Sequence, residues 1–169
     1  MIYPIVKYGQ DVLEKPAAGV KEFGAPLEKL VEDMFETMYA ANGVGLAAPQ
    51  IGLSLRLCVI DVSSGQDPKA RLVLVNPAIM SRDGEQLEEE GCLSLPDFRA
   101  KTARPAVTVA RGLDIKGQPV EIKGEGLLAR ALSHEIDHLD GKLFICHLSR
   151  LKRDSILRRV RRMIKAGEW

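Results

Sequence analysis

A chain of 169 residues, 46% hydrophobic and 28% charged, carries enough apolar side chain for one unaided core. Its net charge of +1 excludes a general attraction to polyanions, so any such attraction must come from a local cluster, and DNA is not an expected partner. Nor is a membrane, because no apolar run approaches the ~18 residues a span needs. Met1–Gln10 lacks the basic-then-apolar order of a signal peptide. Three cysteines at irregular spacing argue against a disulfide framework and for a reducing compartment, which makes the location cytoplasmic by expectation.

The first predicted element is a helix from Pro26 to about Asn42. Leu27, Leu30, Val31, Met34, Phe35, Met38 and Tyr39 recur at helical spacing, Pro26 suits a first turn, and Gly43 supplies a stop. The stretch Gly43–Gly52 (GVGLAAPQIG) is too apolar for a simple solvent loop. Its small residues predict backbone lying close against something else. Leu55–Val62 and Leu72–Ile79 read as strands, and Gly84–Leu95 as an acidic strand or loop. Between Ala106 and Lys123 a β-hairpin is expected, with Val107 and Val109 on one arm, Val120 and Ile122 on the other, and Gly117 near the turn. A second helix follows from about Gly126 to Leu139. Leu127, Leu128, Ala131, Leu132 and Leu139 form its apolar side, and Asp140-Gly141 ends it. A last helix covers about Lys152 to Lys165. With no repeat or long linker, one catalytic domain is expected over 1–169, including a basic helical segment at 148–169. Strands and helices that do not alternate regularly give an α+β class.

The second helix carries His134-Glu135-Ile136-Asp137-His138. Residues i and i+4 share a face, so both imidazoles can reach one cation, and Glu135 on the flank can accept a proton from water activated there. The plainer alternative is two exposed histidines on an ordinary helix, but these lie beside the apolar stripe rather than opposite it. A catalytic cation usually takes three protein ligands. Phe144 stands where a metzincin would have its next histidine, His147 fits no such spacing, and the one later glutamate is Glu168. That leaves the cysteines. Cys58 lies in an apolar strand and reads as a core residue. Cys146 reads likewise, or as an edge residue. Cys92, between Gly91 and Leu93 in an acidic, turn-like segment, is the expected third ligand, because a thiolate there needs a cation at neutral pH.

Three segments, GVGLAAPQIG at 43–52, EGCLSLP at 90–96 and HEIDHLDG at 134–141, resemble in order and spacing the signature motifs of bacterial-type peptide deformylases. The resemblance runs from the first helix to a little beyond residue 141. It implies an α+β fold of mixed or antiparallel strands packed around a central helix that carries the histidines, followed by a C-terminal helix. Cys92, His134 and His138 would hold the metal and Glu135 would be the general acid/base. Gln50 and the backbone N–H of Leu93 would stabilise the oxyanion, and Gly45 would lie beside the substrate. The implied activity is hydrolysis of the formyl group from the N-terminal formylmethionine of newly synthesised polypeptides. The ligand set alone suggests zinc; the resemblance implies Fe²⁺, replaceable by Zn²⁺, Ni²⁺ or Co²⁺. Ser133 and Leu95 depart from the Gln and Val common at those positions in the family.

An extended peptide lying against Gly43, Gly45, Ala47 and Ala48 would be read through its main chain, and its methionine would need an apolar pocket near the His134 helix. The last helix holds eight Lys or Arg between Arg150 and Lys165 and one acidic residue, Asp154. A solvated basic face is the plainer explanation; a contact with the ribosome is the functional one. Two rival functions remain open at this point. A structural metal site in an RNA-binding module would not need Glu135, and a zincin-like endopeptidase would cleave unformylated peptides.

Overall fold

The computed structural model describes residues 1–169. Helix α1 (Ala25–Ala40) is followed by strands β1 (Gly45–Ala47), β2 (Leu57–Ile60), β3 (Leu72–Asp83), β4 (Gln86–Cys92), β5 (Leu95–Arg104), β6 (Val107–Leu113) and β7 (Pro119–Glu125). Helices α2 (Leu127–Leu139) and α3 (Arg150–Lys165) complete the chain. Five strands form an antiparallel sheet in the order β1-β2-β3-β6-β7, and β4 pairs with β5 in a separate two-stranded sheet. The α+β reading therefore holds, with α2 at the centre.

At β2 both faces of the larger sheet are covered, whereas β7 turns Glu121 and Lys123 to solvent. Successive side chains of a strand point to opposite faces. Leu57 and Val59 join Leu27, Val31, Met34, Phe35 and Met38 of α1, while Cys58 and Ile60 join Ala131, Leu132, Ile136 and Leu139 of α2. Met34 and Met38 are fully buried, and truncating either to alanine would cost about 2–5 kcal/mol. A third core packs Leu95 and Phe98 of β5 against Leu143, Phe144, Ile145 and Leu148, and against Ile156 and Val160 of α3. Cys58 is a fully buried core residue, and Cys146 lies exposed.

Three details differ from the sequence reading. The left-handed residue that closes α1 is Asn42 (φ 58°), not Gly43. Gly43 is small for another reason: a Cβ there would lie 2.9 Å from Leu93 Cδ1. Leu127, expected in the core, is half exposed at the first position of α2 and lines a cleft instead. β5 was not expected as a strand. It contains Pro96 and charged residues, and its pairing with β4 from Arg104 back to Leu95 makes it one.

Candidate metal centre and cleft

α2 is short and buried nearly all round, with His134, Glu135 and His138 among its buried residues. One helical turn brings the two Nε2 atoms to 3.2 Å from each other. Cys92 reaches them from the end of β4, where a register shift between Gly91 and Cys92 breaks the ladder and lets the chain turn. Its Sγ lies 3.3 Å from His138 Nε2. The ligand atoms of Cys92, His134 and His138 all lie within 4.8 Å of one another.

The donor set fits a cation. Around a tetrahedral ion with M–N near 2.05 Å and M–S near 2.3 Å, ligand atoms stand roughly 3.3–3.6 Å apart. The sulfur–imidazole and imidazole–imidazole separations are close to that spacing. His134 Nδ1 engages Glu90 Oε2 at 2.7 Å, which fixes the ring and, as the N–H donor, leaves Nε2 free to ligate. The centre also gathers anionic groups, Glu90 and the Cys92 thiolate, that favour a positive occupant, whether a proton on His134 or a metal ion. Burial pushes the Cys92 thiol up, but the charges of and hydrogen bonds to His138 and His134 outweigh it and bring its pKa to about 5. Burial likewise pushes His134 down. The charge of Glu135 and the bonds to Cys92 and Glu90 carry it well above the ordinary histidine value.

Glu135 stands beside this cluster. Its Oε1 is buried without a hydrogen-bond partner, and burial raises its pKa despite the neighbouring imidazoles. Space for it comes from Gly45, where a Cβ would lie 2.5 Å from Oε2. Gln50, in the short turn Ala48–Ile51, is held at both ends of its amide. Oε1 accepts from Ala47 N–H at 3.0 Å, and Nε2 donates to Ser94 Oγ at 3.2 Å while lying 3.6 Å from Cys92 Sγ. Gly45, Gln50, Cys92, Leu93, His134 and Glu135 line one cleft of about 730 Å³. His138 is fully buried behind it, against Cys92 and His134. All seven residues singled out from the sequence therefore converge on one place.

Sequence reasoning missed the support behind the centre. Glu90 is buried and accepts from Arg104 Nε and Nη2 at 3.0 and 2.6 Å, from Arg130 Nη1 at 2.7 Å, and from His134. Arg104 in turn donates to Asp137 Oδ2 at 2.7 Å, and His147 Nε2 lies 2.7 Å from that same oxygen. Burial disfavours the Glu90 carboxylate, yet the bonds from His134 and Arg104 hold its pKa well below the usual range. Phe144 stacks on His134, ring centroids 6.3 Å apart. The signals were present in the sequence. Arg130 is an arginine one turn before His134 on a mostly apolar helix, and Glu90 heads the EGCLSLP segment.

Residues 2–154 match the model of the polypeptide deformylase family. The chain belongs to that family. A peptide deformylase of Acidobacterium capsulatum is 57% identical over 169 residues, covering 100% of this chain and 99% of that one. Among solved structures, a peptide deformylase from Legionella pneumophila superposes with a TM-score of 0.90 at 47% identity, over 99% of this chain and 98% of the other. One from Thermus thermophilus gives 0.89 at 40% identity, again over 99% and 98%. Peptide deformylases are metal-dependent hydrolases that remove the N-formyl group from nascent polypeptides. No helix is long and apolar enough to cross a membrane.

Proposed function

We propose that this chain deformylates the N-terminal formylmethionine of new polypeptides in the cytoplasm, as a single catalytic domain, with Cys92, His134 and His138 as ligands of one Fe²⁺. Zn²⁺, Ni²⁺ or Co²⁺ can replace that ion, since a thiolate and two imidazoles suit all four. The observation that carries the reading is the meeting of one sulfur and two imidazole nitrogens beside a buried, under-bonded carboxylate. A divalent ion there supplies Lewis acidity, enough to bring the pKa of water towards 7.

The remaining work falls to side chains and backbone of the cleft. Glu135 takes the proton from the attacking water and passes it to the departing amine. Its raised pKa and free oxygen support both halves of that task. The Gln50 amide and the Leu93 N–H stabilise the charge that grows on the formyl oxygen. Removing one such donor costs about 3–4 kcal/mol of barrier. The peptide lies extended beside Gly45. β1 pairs with β2 alone, so its other edge is available for main-chain pairing, which accepts many sequences. Leu127 and Ala131, at the cleft wall on α2, supply apolar surface for methionine.

The partner of α3 is the ribosome, met through RNA phosphates. Arg158, Arg159, Arg161 and Arg162 line one hollow with Ser155 on the solvent side of the helix.

The decisive assay uses anaerobically purified protein with formyl-Met-Ala-Ser and with Met-Ala-Ser, alongside elemental analysis of the same sample. Formate released from the first, no cleavage of the second and one metal per chain are expected. Protein that holds its metal yet frees no formate would end the reading. Replacing the four arginines by alanine should abolish co-sedimentation with ribosomes, and unchanged co-sedimentation would remove that part alone.

A further inference from the structure

Phe98 belongs to the cleft and to the C-terminal helix at the same time. It lines the cleft with Pro96, Asp97 and Arg99, and it is also a member of the third core with Ile156 and Val160 of α3. Asp97, exposed at φ 70°, and exposed Arg99 flank it, and Phe98 itself is 4% exposed. Its ring therefore packs inward from a wall on which Asp97 and Arg99 face out.

Two residues from beyond residue 150 hold that ring. The Trp169 indole lies with its centroid 6.2 Å away and its plane tilted by 59°. The Arg159 guanidinium sits 4.9 Å from the Phe98 centroid, within cation–π range. Trp169 is itself fixed, because its Nε1 donates to the Tyr8 carbonyl at 2.8 Å and Lys7 Nζ stands 5.8 Å from its ring. Across the β4–β5 ladder Arg99 pairs with Gly91, the residue before Cys92. The Pro96–Arg99 wall thus runs alongside the ligand turn, in the same cleft as Gly43 and Gly45.

We infer that Trp169 and Arg159 are positioning residues for the peptide: by holding Phe98 they set the wall met by the residues that follow formylmethionine. The inference rests on the deformylase reading. Cys92 packs against the same third core as Trp169, but no hydrogen bond or ring contact joins Trp169 or Arg159 to a metal ligand or to Glu135, so their effect should enter through substrate affinity and grow with substrate length. A wall held rigid keeps its shape before the peptide arrives, which reduces the ordering cost of binding.

The test compares kcat/KM for formyl-Met-Ala-Ser with that for formyl-methionine amide in the metal-loaded protein and its variants. In Trp169→Ala and Arg159→Ala the ratio of long to short substrate should fall about three- to tenfold, through KM, and Trp169→Phe should restore most of it. General structural damage would lower both substrates together and leave the ratio as it was. That outcome, with formate still released, overturns the inference and leaves the deformylase reading standing. No formate from either substrate in the unaltered, metal-loaded protein overturns both. Arg159 is exposed, so its variant decides the matter if Trp169→Ala does not fold.

Discussion

The loop after β2 and the helix α2 each bury a carboxylate, and they treat it in opposite ways. Asp61 is fully buried. Its Oδ1 accepts from the Ser63 amide at 2.9 Å and the Ser63 hydroxyl at 2.6 Å, and its Oδ2 accepts from the Gly65 amide at 3.1 Å and from the Tyr39 hydroxyl. Burial opposes ionisation there, but those donors outweigh it and hold the pKa below the usual aspartate value. Glu135 is almost as buried, and one of its oxygens has no partner. Burial again opposes ionisation, the charges of Cys92 and Glu90 add to it, and the two imidazoles do not offset the sum. A carboxylate surrounded by donors gains nothing by taking a proton. One kept short of donors is ready to accept one.

Glu135→Gln tests that contrast most strongly. The substitution keeps size and shape but removes the proton acceptor, so kcat for formate release should fall by about 10²–10⁴-fold. Metal content should be unchanged. If activity survived and only the melting temperature dropped, Glu135 would be an anchor like Asp61 and the contrast would be void.

Glu90 sharpens the comparison, because it is a buried carboxylate with its donors complete yet lies against His134, one of the proposed metal ligands. Glu90→Gln removes the charged acceptor for His134 Nδ1, and loss of such a partner typically lowers metal affinity by about 10–100-fold. Competition with a chelator should show this directly. Arg130 loses its counter-charge in the same step and Arg104 is left with Asp137 alone, so the variant should also unfold at lower denaturant. An unchanged metal affinity would make Glu90 purely structural.

What could be read from the sequence follows a physical division. Helices α1 and α2 and the β6–β7 hairpin announce themselves through the spacing of apolar residues. The two histidines on α2 do so because i and i+4 must share a face. β5 gives no such signal, since Pro96, Asp97, Arg99 and Lys101 dilute its alternation and its partner strand defines it. The burial of Asp61 and Arg104 is equally silent, because charged residues are normally exposed. Leu127 was misplaced for a related reason. Periodicity assigns an apolar residue to a buried face without telling core from cleft.

The smallest expected effect lies at Asp61, and its sign can be worked out. In the folded protein its pKa is lowered, while in the unfolded chain it should be near the ordinary value of about 3.9. Between those values the unfolded chain binds the proton and the folded one does not, so falling pH favours unfolding. The stability Asp61 contributes is therefore fully present above about pH 4 and is lost as pH falls through the folded value. Asp61→Asn abolishes the charge and turns an N–H₂ group towards donors that need an acceptor. At pH 7 the variant should be less stable by about 2 kcal/mol in urea unfolding. The gap between variant and unaltered protein should narrow as the pH is taken down towards about 3. A gap of the same size at both pH values would mean that Asp61 acts by its shape and not by its charge, and the contrast with Glu135 would lose its electrostatic basis.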